Sequence, residues 1–232
     1  MEAMYQGYDE KSVHLDICVP RASYVANAFT NYLSMLNFQD KDIKVNYRET
    51  NSFDTIKDVY EGEANIGIIR FPISEENYFL HLLETKELDS EKIYQFNYQL
   101  LFSNENPLSY KTSISLSDLE RQIEITHGDT SLPSLPIVAT NRNEETRHTK
   151  KEISVYERAS QFELLNRLPH SFMWVSPIPQ EVLKRYNLVI KECLENTSLY
   201  YDVLIMRKGY RQSKEDKGLI KAIKQNIKEI NC

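Results

Sequence analysis

The first residues with a clear pattern run from Val13 to Val19, where apolar and polar positions alternate until Pro20 ends the strand. Val25, Ala28, Phe29, Tyr32, Leu33 and Leu36 then recur every three or four residues, with Asn27, Thr30, Asn31 and Ser34 between them. That spacing predicts a helix with one apolar face. Alternation returns from Asp42 to Arg48, through Ile43, Val45 and Tyr47. Asn51 or Ser52 is placed to cap a second helix carrying Phe53, Ile56, Val59 and Tyr60, and Gly62 stands where a left-handed C-cap belongs. Asn65 to Arg70 is a short, nearly continuous apolar strand. The order β-α-β-α-β requires a parallel sheet with covering helices.

Further on, the pattern predicts a strand over Leu80–Leu83 and a longer one from Ile93 to Ser103. A loop and short helix follow to Leu119, then a strand from Ile123 to Thr126 closed by His127-Gly-Asp. Thr140 to Lys151 is polar and highly charged, a solvated stretch. A strand at Ile153–Tyr156, a helix from about Ala159 to Arg167 and a strand at Phe172–Val175 come next. Pro177 and Pro179 open a short helix through Tyr186. Strands near Leu188–Ile190 and Tyr200–Met206 precede a last helix, capped by Ser213, with Ile223, Ile227 and Ile230 inward. These are two βα blocks joined by long strands near 93–103 and 199–206. The class is α/β, and two such lobes enclose a cleft of the kind that binds ligands at strand ends.

Composition narrows the function. The 232 residues are 41% hydrophobic and 11% aromatic, as in a folded globular protein. The net charge of −6 argues against a stand-alone nucleic-acid binder, which needs a basic face. Six glycines form neither GxGxxG nor a phosphate loop, and there is no GxSxG or HExxH. Cys18, Cys193 and Cys232 form no CxxC, and the five histidines show no metal spacing. Met1 to Lys11 lacks the pattern of a signal peptide, and no apolar run approaches a membrane span. The expectation is a soluble cytoplasmic protein with no cofactor, no metal and no catalytic residue.

Three phrases carry a resemblance. They are Ile56-Lys-Asp-Val-Tyr-Glu-Gly-Glu-Ala-Asn-Ile-Gly-Ile-Ile-Arg, Leu100-Leu-Phe-Ser-Asn-Glu-Asn-Pro-Leu and Ile114-Ser-Leu-Ser-Asp-Leu. Together with the opening strand and helix, they resemble the effector-binding domain of LysR-type transcriptional regulators, which has the type 2 periplasmic-binding-protein fold. Asn65 replaces the family's usual Asp, and Asn106 stands at its usual His. The resemblance runs from about residue 12 to 230. It implies two Rossmann-like lobes joined by two crossover strands, with 12–92 and 204–232 forming lobe I and 93–203 lobe II. It implies a small-molecule effector in the cleft, homodimers or tetramers formed through these domains, and DNA contact only by a helix-turn-helix domain that this chain lacks. No membrane partner is expected.

In that fold a ligand meets the first residues of helices that follow strand ends, where unpaired N–H groups and the helix dipole favour an anion. The candidates in the first loop are Pro20, Arg21, Ala22 and Ser23. Arg21 either pairs an acidic effector or stays in solvent, and Ser23 either caps its helix or meets the ligand. The second loop offers Asn51, Ser52 and Phe53, with Asn51 and Ser52 first of all N-caps. Lobe II offers His127, Gly128, Asp129, Arg158 and Ser176; Gly128 permits close backbone approach. His127 is alternatively a satisfied surface or core residue, and Trp174 is read as core. The function implied is ligand sensing. The alternatives are a solute-binding protein of a transporter and a cytosolic enzyme on the same fold. Prephenate dehydratases share this fold, but of their Thr-Arg-Phe motif only Ile69-Arg70-Phe71 is a fragment.

Overall fold

The computed structural model describes residues 12–39, 41–128, 149–156 and 160–231. The opening pattern folds as read: β1 (Ser12–Val19), α1 (Ser23–Ser34), β2 (Asp42–Glu49), α2 (Ser52–Glu61) and β3 (Ile66–Pro72). Strands β1, β2 and β3 are parallel, with β1 between the other two. Helix α2 is capped by Asn51, whose side chain accepts from the Asp54 N–H. It ends at Gly62, whose φ of 87° is the left-handed conformation that glycine adopts without steric cost.

The next segment corrects the sequence reading. Leu80–Leu83 is not a strand but part of α3 (Glu76–Thr85). Phe79 and Leu83, one helical turn apart, are the residues it buries. A short apolar run has no period of its own, and here the Phe79/Leu83 spacing prevails. The long strand over 93–103 is likewise two strands, β4 (Leu88–Asn97) and β5 (Gln99–Ser103), which lie in different sheets and are separated by Tyr98.

After the short helix α4 (Leu116–Leu119) come β6 (Ile123–His127), β7 (Glu152–Val155), α5 (Gln161–Arg167), β8 (Ser171–Val175), α6 (Gln180–Arg185) and β9 (Leu188–Lys191). The chain then returns through β10 (Leu199–Arg207) to α7 (Lys214–Ile230), capped by a Ser213/Asp216 capping box. The two sheets have orders β2-β1-β3-β10-β4 and β7-β6-β8-β5-β9. Strand β10 runs antiparallel between β3 and β4, so after the second sheet the chain returns to the sheet that contains β1. Both β4 and β10 belong to the first sheet over their whole lengths. The chain therefore changes sheets at Tyr98 and again between Lys191 and Leu199. The two crossing segments are tied to each other: the Asn196 amide donates to the Tyr98 carbonyl at 2.7 Å, and Asn97 donates to the Ser198 carbonyl at 3.1 Å.

Each sheet is covered on both faces. In the first, Leu15, Ile17 and Leu204 pack with α1 and α7 on one side, and Ile69, Phe71 and Val203 pack with α2 and α3 on the other. In the second, Met173 and Leu101 pack with α5 and α6, and Leu100 and Phe172 pack with α4. Trp174 packs against this last cluster.

Next to the crossing lies a buried charge pair. The Asp202 side chain is 0% exposed and that of Arg70 is 9% exposed. The guanidinium donates through Nε to Asp202 Oδ1 at 2.7 Å and through Nη2 to Oδ2 at 2.6 Å. The Tyr24 hydroxyl also donates to Oδ2. Arg70 lies 4.7 Å from the centroid of the Phe96 ring. Burial, and then the Asp202 charge, push the Tyr24 phenol well above its ordinary value, so it remains a donor. This network joins α1, β3, β4 and β10.

Two predictions follow from this packing. Asp202→Ala strands Arg70 in a dry site and is expected to cost about 3–5 kcal/mol of stability by urea unfolding. The double variant Arg70→Met/Asp202→Leu recovers much of that loss, because no buried charge remains. Cys18 supplies the second. Its Sγ donates to Asp58 Oδ2 at 3.3 Å, and burial, followed by the Asp58 carboxylate, pushes the thiol up from 9.0 to about 12. The folded chain thus keeps a proton that the unfolded chain releases above pH 9, so Cys18 makes stability fall as pH rises from 9 towards 12. A Cys18→Ala variant is expected to show a shallower loss over that window in urea titrations.

Candidate functional site

The first predicted loop lies where the two lobes meet. Pro20 and Ala22 are buried and Arg21 is half-buried. From this position Arg21 Nη2 crosses to lobe II and donates to the Tyr156 carbonyl at 2.9 Å. Tyr156 follows β7, and its ring lies over Gly128: a Cβ on Gly128 would stand 2.6 Å from ring carbons. The Gly128 N–H donates to the Val155 carbonyl at 2.9 Å. Arg21, Gly128 and Tyr156, drawn from both lobes, therefore form one cluster. Next to Gly128 along β6, His127 Nδ1 is 2.6 Å from the amide nitrogen of Gln161, at the start of α5.

The two helix entries in lobe I differ in chemistry. The N-cap of α1 is Ala22, with extended backbone and no side-chain cap, and the first turn contains no acidic residue. Ser23 is the first helical residue rather than the cap. Arg21 lies beside the positive end of this helix dipole. At α2, by contrast, Asn51 caps the Asp54 N–H, and its amide nitrogen donates to the Asp54 carboxylate at 2.7 Å. The entry to α2 is internally satisfied and already holds a negative charge.

The rest of the second loop is also engaged within lobe I. The Ser52 hydroxyl accepts from the Arg70 N–H at 2.9 Å and donates to the Arg70 carbonyl at 2.7 Å, which fixes the end of β3. Phe53 packs on Phe79 and Tyr78, with ring centroids 5.6 and 6.4 Å away. Ser176 lies in the turn between β8 and α6 and is 4% exposed. Asp129 and Arg158 lie outside the described residues.

Other residues at the lobe boundary carry no sequence motif. Glu181, in the first turn of α6, accepts from Asn27 at 2.6 Å and from Asn31 at 3.3 Å, both on α1. Asn27 and Asn31 are four apart in the sequence and so share one flank of the helix. That spacing was the available signal, but nothing in it names a partner 150 residues away.

Among the described residues no group of His, Cys, Asp and Glu could hold a metal ion, and no helix is long and apolar enough to cross a membrane. Burial raises the Cys193 thiol as it does that of Cys18, so neither is an activated nucleophile. The entry to α1 and Arg21 thus lie against Tyr156 of lobe II.

No family model matches the sequence, and no curated protein matches it at a significant level. Solved structures do match. The effector-binding domain of QuiR in complex with shikimate is 18% identical, with a TM-score of 0.55 over 93% of this chain and 97% of that one. The regulatory domain of MetR, a LysR-family regulator from N. meningitidis, is 10% identical, with a TM-score of 0.58 over 91% and 92%. A variant of the OxyR2 regulatory domain from Vibrio vulnificus is 18% identical, with a TM-score of 0.57 over 97% and 99%. Near-complete coverage in both directions means that the likeness extends to both lobes and their crossing. The chain is built on the fold of the effector-binding, regulatory domains of LysR-family regulators, a type 2 periplasmic-binding-protein-like fold.

Proposed function

We propose that this chain is the ligand-sensing domain of a LysR-type transcriptional regulator, and that a small anionic or polar metabolite is held between its lobes. The observation that carries the reading is the entry to α1. There, a helix terminus without side-chain cap or first-turn acid meets Arg21, and Arg21 reaches the Tyr156 carbonyl of lobe II. A carboxylate placed there gains backbone donors, a favourable dipole and a guanidinium. One of the similar domains was solved with shikimate, itself a small carboxylate.

Sensing of this kind forms no bond. An effector that binds the closed arrangement more tightly than the open one shifts the population towards closure, by as much as its affinities differ. DNA would be met by a separate helix-turn-helix domain in the cytoplasm, and the closure would be read through pairing of effector domains. The surface proposed for pairing is the outer flank of α1 with edge strand β2. Phe29 stacks on Tyr47 there at 4.4 Å, and Ile43 is 49% exposed. An exposed apolar strip along a sheet edge invites a second copy.

Thermal-shift measurements against a panel of hydroxy acids, aromatic acids and amino acids test the sensing reading. A ligand at a hundred times its Kd adds about 2.7 kcal/mol, which for a chain of this size raises Tm by roughly 5–10 °C. Arg21→Ala is expected to weaken that ligand at least about tenfold while leaving the unliganded Tm nearly unchanged. A panel that moves nothing, or an Arg21→Ala chain that binds as tightly as wild type, counts against the site. For pairing, Ile43→Glu places a charge in the exposed strip and is expected to shift sedimentation from dimer towards monomer.

A further inference from the structure

We infer that Glu181 is a positioning residue that latches the two lobes together, setting how readily the proposed effector cleft closes; the inference rests on the sensing reading and specifies how that cleft is regulated. Apart from the crossing segments at Tyr98 and after Lys191, the lobes are separate sheets with separate cores. The Glu181 carboxylate is nonetheless shared between two amides of the opposite lobe. Its Oε1 accepts from Asn27 Nδ2 at 2.6 Å and from Asn31 Nδ2 at 3.3 Å.

Three features make this more than a chance surface contact. Asn27 is 7% exposed, so its amide has little access to water and depends on this acceptor. Asn27 and Asn31 lie four residues apart, so one oxygen can serve both from a single flank of α1. Glu181 is in the first turn of α6, so the helix fixes the point from which its carboxylate reaches α1. Its hydrogen bonds to neutral amides are charge-assisted on one side only. They resist salt better than an ion pair between exposed side chains does.

The latch also selects which helix feels closure. Helix α1 places Asn27 and Asn31 on one flank and Phe29 and Leu33 on the other. Opening of lobe II pulls on the first flank, while the second belongs to the proposed pairing surface. With Arg21 holding Tyr156 at the entry to α1, these two inter-lobe ties act on the same helix. These are contacts of protein with protein, so they favour closure whatever the cleft contains, and an effector adds its differential affinity to a balance that they set.

The test measures that balance with no effector present. Spin labels at Lys57→Cys and Glu120→Cys, both exposed positions in opposite lobes, report the inter-lobe distance by double electron–electron resonance in the full chain carrying Cys232→Ser. Glu181→Ala, an exposed position whose loss leaves the core intact, is expected to raise the open-to-closed ratio about tenfold, and to do so at both low and high salt. Glu181→Gln keeps an acceptor oxygen and is expected to fall nearer wild type than alanine does. Asn31→Ala is expected to open the lobes less than Glu181→Ala. A Glu181→Ala distribution identical to wild type, or a Gln distribution identical to that of Ala, overturns the latch. Because no ligand is used, an opened Glu181→Ala chain that binds no member of the acid panel retains the latch and discards the sensing reading. The converse result discards the latch alone.

Discussion

Two charges withdrawn from water beside the crossing impose order on everything around them. Asp202 is on the returning strand, Arg70 at the end of β3 and Tyr24 in the first turn of α1. The cost of burying the carboxylate is met only when both other groups are in place, because a buried ion lacking one partner is among the most costly defects in a protein. The loop before α1 therefore has little freedom: Tyr24 holds the helix start, and Arg21 lies three residues before it. The Ser52 clamp on both backbone groups of Arg70 extends the constraint to the second loop.

The opening half of lobe I was legible because its signals were local. Apolar spacing, the Asn51 cap and Gly62 each act within a few residues, and the structure shows them where the pattern puts them. Ser213 is a second case, with its capping box completed by Asp216. Leu80–Leu83 was misread because three leucines within four residues suit a strand or a helix equally. The decision came from Phe79 and from burial against β3, which are tertiary facts. The long strand over 93–103 failed for a related reason. Tyr98 is as compatible with a strand as its neighbours, and only pairing to two different sheets divides the run.

The candidate site was legible in part. The first loop was identified from its place after a strand and before a helix, and it lies at the lobe junction. The second loop had the same sequence logic, yet its side chains turn inward to Asp54, Arg70 and Phe79. Residue type states what a group is able to bond; it does not state which of several partners reaches it first. Glu181 and Tyr156 were illegible for the opposite reason. Their roles depend on the approach of elements more than a hundred residues apart, and Tyr156 acts through its backbone carbonyl, which every residue carries.

The insertion of β10 between β3 and β4 also bears on how the chain is made. Lobe II is one continuous stretch, from Gln99 to Lys191, and has every strand of its sheet before β10 exists. Lobe I has no such independence, since the gap between β3 and β4 is filled only by Leu199–Arg207, and α7 covers the α1 face later still. On the ribosome the second lobe to be started is thus the first that is able to finish, and the half-built first sheet must wait with two inner edges unpaired. Closure of lobe I thus depends on a segment made only after the whole of lobe II, and that segment carries the carboxylate of Asp202.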